Sequence, residues 1–173
     1  MVPKKEKFLL ALDNKGLSNR VVKYVGEMIG KRADVTVVLF HVLDPVPPGL
    51  REFRGAEDPA MERKLDHELD AKWEQWARSA KDRAQPIFDR AQSSLVQAGV
   101  PDSAIRTEFW LPVNWQDFVT DVLKAGKSNG CGTIVVGRRS FAGWKRIFSH
   151  SVADELVRRA SGFTVWVVEH KSP

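Results

Sequence analysis

The sequence contains little of what proteins use to hold metals or to form disulfides. Cys131 is the only cysteine, so the chain can form no internal disulfide and has no cysteine pair for a zinc site. The four histidines are scattered, and their spacing predicts no metal centre. The apolar run over residues 8–12 is too short for a signal-peptide core or a membrane span. We therefore expect a cytoplasmic protein that does not contact membranes.

Fingerprints of common nucleotide-using enzymes are also missing. The sequence has no GxxxxGK[ST] segment, and no GxGxxG follows the first predicted strand. No motif combines a nucleophile with a base and an orienting group. Asp13 and His41 could approach each other from neighbouring strand ends, but nothing else in the sequence supports a catalytic pair. We therefore expect a protein without catalytic residues, with slow ATP hydrolysis as the alternative.

Length and composition are those of one globular domain. The chain has 173 residues, of which 43% are hydrophobic and 28% charged, and we predict a single domain over residues 1–173. Its net charge of +5 is compatible with anionic ligands or nucleic acid. Most charges alternate in sign along predicted helices, and no nucleic-acid-binding motif is present, so we expect no nucleic-acid partner.

Two kinds of apolar segment alternate along the chain. Short apolar, often β-branched runs predict five strands, and apolar residues at intervals of three or four predict four helical connections. The predicted strands are residues 7–12, 34–42, 105–110, 133–136 and 164–168. This alternation predicts an α/β fold, a three-layer open five-stranded parallel sheet with helices on both faces. Ligands of such sheets bind at the carboxyl ends of the strands, where the strand order reverses.

The predicted connections are unequal in size. Ser18 is an N-cap candidate for the first helix. Residues 43–60 contain several prolines and glycines and predict an exposed, irregular and mobile loop. Residues 57–98 predict an enlarged helical connection, either one long helix or two in series. Trp73 and Trp76 follow its apolar stripe, which indicates core or partner contacts for both side chains.

Three shorter helices are each predicted to bury one apolar face. The first ends at Gly30, the second begins at Asn114 and ends at Gly130, and the third follows Ser151. The residues predicted to face the sheet are Val21, Val22, Val25, Met28 and Ile29, then Trp115, Phe118, Val119, Val122 and Leu123, and finally Val152, Leu156, Val157 and Ala160.

The loop from Gly137 to Ser151 combines cations with a predicted helix start. Its cations are Arg138, Arg139, Lys145 and Arg146. Free N–H groups and the dipole at a helix N-terminus attract anions. The loop and its flanking segments resemble the C-terminal signature of the universal stress protein family, which runs Gly, two residues, Gly, nine residues, Gly, then Ser or Thr. Residues 7–13 resemble the first strand of that family with its terminal aspartate, and residues 40–45 resemble the end of its second strand.

The resemblance to the signature fails at two glycines. Gly137 takes the first position and Ser151 the final hydroxyl, whereas Ser140 and His150 replace the second and third glycines. Glycine allows positive φ and lets the backbone approach a phosphate, while another residue in the left-handed conformation costs about 1–2 kcal/mol. We therefore expect no bound cofactor. The alternative is ATP or AMP held by arginine side chains in place of backbone amides.

The resemblance carries further implications for fold, site and partners. It implies the Rossmann-like fold of adenine nucleotide alpha hydrolases, with strand order 3-2-1-4-5, and a stress-response binding protein. The nucleotide- or anion-binding positions that it implies are Asp13, Val42, Gly137, Arg138, Arg139, Ser140, His150, Ser151 and Val152. Ser151 followed by Asp154 is also typical of an ordinary capping box.

The last strand is the predicted dimer interface. It is apolar on both faces and is expected at the sheet edge, where unpaired backbone groups can pair with another chain. Family members often dimerise through this strand, so the resemblance implies a homodimer. The interface residues are Thr164, Val165, Trp166, Val167 and Val168. The sequence does not identify any other protein partner.

Overall fold

A computed structural model describes residues 6–13, 17–43, 46–51, 59–111, 118–138 and 151–169 of the chain. Its elements are β1 (Glu6–Leu12), α1 (Leu17–Ile29), β2 (Val35–Val42), α2 (Pro48–Arg51), α3 (Pro59–Gln97), β3 (Ile105–Trp110), α4 (Phe118–Ser128), β4 (Thr133–Gly137), α5 (Val152–Arg159) and β5 (Thr164–Val168). A 3-10 turn (Asp102–Ala104) precedes β3. The predicted alternation of strands and helices is confirmed.

The five strands form one parallel sheet in the order β3-β2-β1-β4-β5. This confirms the predicted fold class and strand order. β1 lies at the centre and pairs with both β2 and β4. The direction of winding therefore reverses between β1 and β4, and this is where open α/β sheets bind ligands.

Each face of the sheet carries its own apolar core. Phe8 and Leu10 of β1 pack with α1 and α3, whereas Leu9 and Ala11 pack with α4 and α5. Successive side chains of a strand point to opposite faces, so a strand that is covered on both sides is apolar throughout. β2 shows the same pattern, since only Thr36 among its residues is not fully buried. Continuous apolar runs were therefore a reliable signal for the central strands.

Two helices end at glycines in the left-handed conformation. Gly99, with φ of 101°, follows α3, and Gly130, with φ of 65°, follows α4 as predicted. At the end of α3, the N–H of Val100 donates to the carbonyl oxygen of Leu95, and the same pattern follows α4. These Schellman motifs satisfy backbone groups that a helix end leaves free.

Gly30 follows α1 for a different reason. A Cβ atom added there would lie 2.0 Å from the carbonyl oxygen of Ala98, so the glycine permits a close approach between α1 and the end of α3. The helix boundary was predicted correctly from Gly30. The cause is the neighbouring backbone and not a left-handed cap.

The long connection is one helix. α3 has 39 residues and continues through Pro86, and at 1.5 Å per residue it is about 58 Å long, more than twice the length of any strand. Its C-terminal half is buried at Ala80, Ala84, Phe88, Ala91 and Leu95. The predicted enlarged connection over residues 57–98 is therefore helical over 59–97. None of the helices in the described parts of the chain is long and apolar enough to cross a membrane.

Several predicted details differ from the structure. Met28 and Val157 were expected to face the sheet, yet each side chain is 56% exposed. Both lie at the margin of their apolar helix face, outside the clusters of buried residues that form the core. α1 begins at Leu17, so Ser18 lies within its first turn and not before it.

The predicted loop over residues 43–60 contains the short helix α2, and its residues Leu43 and Val46 are buried. Its described parts are therefore less irregular than expected, while its mobility stays a prediction. Asn114 and Trp115 lie outside the described residues.

Candidate functional site

Three predicted ligand positions meet at the carboxyl edge of the sheet. Val42 ends β2, Asp13 follows β1, and Gly137 ends β4, so they lie side by side on three adjacent strands. All three residues are buried. The parallel pairing of these strands explains this juxtaposition, which is the one that the resemblance implied. Their contact with a ligand stays a prediction.

His41 is held by the backbone of the neighbouring strand. Its ring is 3% exposed, and Nδ1 lies 3.0 Å from the carbonyl oxygen of Leu12. A carbonyl oxygen only accepts hydrogen bonds, which assigns the proton to Nδ1. The ring also contacts Phe88 edge-on at a centroid distance of 6.1 Å. These contacts give His41 a structural role between β1, β2 and α3.

Arg138 is bound to the end of β5. Its backbone N–H donates to the carbonyl oxygen of Val168 at 2.9 Å, and Nη1 donates to Oε2 of Glu169, also at 2.9 Å. The Arg138 side chain is 61% exposed. Because β5 lies on the side of β4 opposite to β1, this ion pair draws the guanidinium away from the position of Asp13.

Sequence reasoning missed Glu169 as the partner of Arg138. The available signal was its position, since it follows β5 directly and β5 ends beside β4. Exposed ion pairs of this kind contribute about 0–1 kcal/mol, so a stronger ligand could displace Glu169.

Ser151 is the N-cap of α5. Its Oγ accepts a hydrogen bond from the backbone N–H of Asp154 at 3.1 Å, and its hydroxyl donates to Oδ2 of Asp154 at 2.6 Å. Val152 begins the helix and is 5% exposed in the core. Both residues therefore have sufficient structural roles without a ligand. Arg139, Ser140 and His150 lie outside the described residues, and their roles stay predictions.

A small apolar cluster adjoins the ends of β2 and β3. Leu43 is buried with Ala80 and Ala84 of α3, and Trp76 packs against them. Trp73 contacts Trp76 at a ring-centroid distance of 5.8 Å. Of the predicted core or partner contacts, the structure shows a core contact for the partly buried Trp76, and a partner contact stays a prediction. The middle of α3, around Trp76 to Ala84, therefore lies beside the carboxyl edge, which the sequence did not reveal.

The opposite, amino edge of the sheet holds the only cysteine. Burial raises the pKa of the Cys131 thiol to about 11, against a weaker opposing effect of Lys7. The thiol is therefore neutral near pH 7 and a poor nucleophile. Within the described parts of the chain, no three His, Cys, Asp or Glu side chains are grouped so that they could hold a metal ion.

The fold is that of solved universal stress protein structures. The chain superposes on a protein from the universal stress protein family from Burkholderia pseudomallei with a TM-score of 0.61 and 17% identity, over 97% of this chain and 98% of that chain. Superposition on a universal stress protein in complex with cAMP gives a TM-score of 0.59 at 14% identity, over 98% of this chain and 99% of that chain. Superposition on the universal stress protein from Archaeoglobus fulgidus in complex with dAMP gives a TM-score of 0.52 at 18% identity, over 95% of this chain and 98% of that chain.

Identities at this level establish a shared fold and do not transfer function. No family model matches the sequence, and no curated protein matches it either. The predicted resemblance is therefore confirmed in three dimensions. The properties of individual site residues depend on the chemistry of this chain.

Proposed function

We propose that this chain is a cytoplasmic, universal-stress-protein-like regulatory protein that acts by binding a protein partner and holds no ATP. The observation that carries the proposal is the Arg138–Glu169 ion pair. With Ser140 and His150 in place of two glycines, a phosphate would depend on cationic side chains. Arg138, the cation closest in sequence to β4, is instead bound at the end of β5.

A nucleotide-binding function is the second candidate. Two structures with this fold were solved in complex with cAMP and dAMP. Asp13, Val42 and Gly137 lie on adjacent strand ends, as adenine-nucleotide binding would require. In this alternative, ATP or AMP displaces Glu169 and recruits Arg138 to its phosphates.

Titration calorimetry with ATP and AMP separates the two functions. We expect no saturable binding at micromolar nucleotide, and no nucleotide in protein purified without added ligand. Arg138→Met and Glu169→Gln form a matched pair of variants. If the alternative holds, Arg138→Met weakens binding by about tenfold or more, and Glu169→Gln, which frees the arginine, strengthens it. That pattern would overturn the proposal. Release of phosphate from ATP over hours tests the remaining possibility of slow hydrolysis.

We also propose that the chain forms a homodimer through β5. β5 is an edge strand without a charged residue, and Val167 is 39% exposed. A groove of about 540 Å³ runs beside it, between Trp166 and the exposed α1 residues Tyr24 and Met28. A second copy pairing along β5 would cover this apolar surface.

Sedimentation across a range of protein concentrations tests the dimer. Val167→Lys places a charge on the exposed edge and is expected to give monomers. Thr107→Lys, at an exposed position of the opposite edge strand β3, is the matched control and should leave the dimer intact. A monomeric parent protein at all concentrations would contradict the proposal.

A further inference from the structure

The turn between α5 and β5 places a serine two positions after a pair of arginines. Arg158, Arg159, Ala160 and Ser161 follow one another, and Ser161 and Gly162 form an exposed turn. Gly162 has φ of 85°. An exposed serine with basic residues two and three positions before it has the charge pattern that a kinase with an acidic substrate-binding surface selects. The ordinary interpretation is a solvated helix end, because cations at that position favour the helix dipole.

The structure allows this segment to be presented to an enzyme. Arg158 and Arg159 both interact with Glu155 at the surface, and their side chains are 58% and 39% exposed. Such surface pairs are weak and easily exchanged. α5 has eight residues, and its last turn must unwind for the arginines to bind in an extended conformation. Helix ends open at low free-energy cost.

A second, independent observation concerns the surroundings of Ser161. It lines a cavity of about 660 Å³ at the amino edge of the sheet, which we call the amino-edge cavity. Lys7 and Lys127 line the same cavity. Lys7 Nζ donates to the carbonyl oxygen of Asn129 at 3.1 Å. In the described part of the chain, neither lysine forms an ion pair with a carboxylate.

The carboxylates of the amino-edge cavity are already neutralised. Arg32 forms ion pairs with both: its Nη1 lies 2.6 Å from Oε2 of Glu6, and its Nη2 lies 2.9 Å from Oδ2 of Asp34. The hydrogen bond from Arg32 lowers the pKa of the Asp34 carboxyl, which therefore stays ionised and paired. The two lysines are the remaining cations of the lining, so a dianion on Ser161 would share the cavity with two cations that have no carboxylate partner among the described residues.

We propose that Ser161 is a phosphorylation site for a serine kinase with an acidic substrate-binding surface, and that its phosphate binds the lysines of the amino-edge cavity. In the transfer, the Ser161 Oγ forms a bond to the γ-phosphorus of ATP, and the bond from that phosphorus to the β,γ-bridging oxygen breaks. ADP leaves, and the hydroxyl proton passes to the catalytic base of the kinase. The phosphate adds about two negative charges and three acceptor oxygens.

The first experiment tests the modification. The full chain is incubated with ATP and the catalytic subunit of a cAMP-dependent protein kinase, and the product is mapped by peptide mass spectrometry. We expect phosphate on Ser161, no such product from Ser161→Ala, and a rate at least about tenfold lower for Arg158→Gln. Ser161 is exposed on a turn, so Ser161→Ala should fold, which circular dichroism verifies.

Ser93 supplies a matched control. It is exposed and has an arginine, Arg90, three positions before it, but Ala91 stands two positions before it in place of a second arginine, and it lies within α3, four residues before Gln97. Ser93→Ala is expected to be phosphorylated on Ser161 as the parent is. An unmodified Ser161, or phosphate found only elsewhere in the chain, would overturn the proposed site.

The second experiment tests the docking of the phosphate. Phosphorus NMR follows the phosphoserine as pH is varied, and we expect a second pKa below the ordinary value of about 6, because nearby ammonium groups favour the dianion. Lys127→Met should return it toward that value. Lys124→Met, an exposed lysine of the same helix outside the cavity lining, should not. A second phosphate pKa near the ordinary value of about 6 in the phosphorylated parent and in both lysine variants would refute the docking. Neither experiment depends on ATP binding at the carboxyl edge.

Discussion

The contact between α1 and the end of α3 makes Gly30→Ala the most informative substitution for the fold. A Cβ at residue 30 would lie 2.0 Å from the carbonyl oxygen of Ala98, whereas real Cβ atoms essentially never approach closer than 3.0 Å. The backbone segments at residues 30 and 98 must therefore separate by at least 1.0 Å, the difference between these distances. Val25 and Leu95, on the two facing helices, are fully buried and would lose packing.

We expect Gly30→Ala to destabilise the protein by about 3 kcal/mol, the upper part of the range for overpacked sites. At an unhindered position, the same change stabilises by about 0.4–1 kcal/mol through the unfolded state. With a urea dependence of about 2 kcal/mol per molar, the unfolding midpoint should fall by about 1.5 M. Urea titration followed by circular dichroism and tryptophan fluorescence measures this change.

Ala98→Gly distinguishes a backbone obstacle from a side-chain obstacle. At Gly26, an added Cβ would meet the Ala98 Cβ at 2.7 Å, so Ala98→Gly should rescue Gly26→Ala. It should not rescue Gly30→Ala, because the obstructing carbonyl oxygen remains. Gly132→Ala is the control, since a Cβ there meets nothing within 4 Å. Neutral behaviour of Gly30→Ala, or its rescue by Ala98→Gly, would refute the assigned contact.

Three further predictions concern the core, a helix cap and the thiol. Phe88→Ala removes a fully buried ring that contacts the ring of Phe109 at a centroid distance of 4.7 Å. It should lower the free energy of unfolding by about 3–5 kcal/mol in the same urea assay. A loss below about 1 kcal/mol would show that the site is not packed as described. Ser151→Ala should cost about 1 kcal/mol through the lost cap, and an unchanged midpoint would contradict that role. With a pKa of about 11, only about one in a thousand Cys131 side chains is a thiolate at pH 8, whereas about a quarter of ordinary thiols are ionised. Labelling of Cys131 by a disulfide reagent should therefore be at least about 100-fold slower than labelling of a cysteine in a short peptide. Because this folded pKa is raised, the contribution of the neutral thiol to stability is complete below the ordinary pKa and is lost as pH rises through about 11, which urea titrations at several pH values would detect.

The strands were accessible from the sequence because their signals are local, whereas their order was implied by the resemblance to universal stress proteins. β2 is apolar along nearly its whole length, and such a run has few alternatives to a covered parallel strand. Asp13 and Gly137 could be assigned to one edge because the carboxyl ends of parallel strands must share it. Gly130 was correctly assigned as a helix end because a left-handed cap has a local sequence signature.

Packing at the margins was not accessible in the same way. Met28 and Val157 have the spacing of buried residues, but periodicity does not reveal how far the opposing core extends. Arg138 was a phosphate ligand only in the alternative interpretation, and its observed partner depends on β5 ending beside β4. Arg138 and Glu169 are 31 positions apart in the sequence and lie together only because β4 and β5 pair in the sheet.

The sequence by itself determined the α/β alternation, the covered central strands, the enlarged helical connection and the replacement of two glycines in the loop after β4. These properties follow from the order and type of neighbouring residues. Only the tertiary structure decided that Arg138 binds Glu169, that Gly30 serves a helix contact, and that Ser161 shares a cavity with Lys7 and Lys127. The physical reason is that each of these depends on the distance between elements far apart in the chain, and that distance is set by the packing of the whole domain.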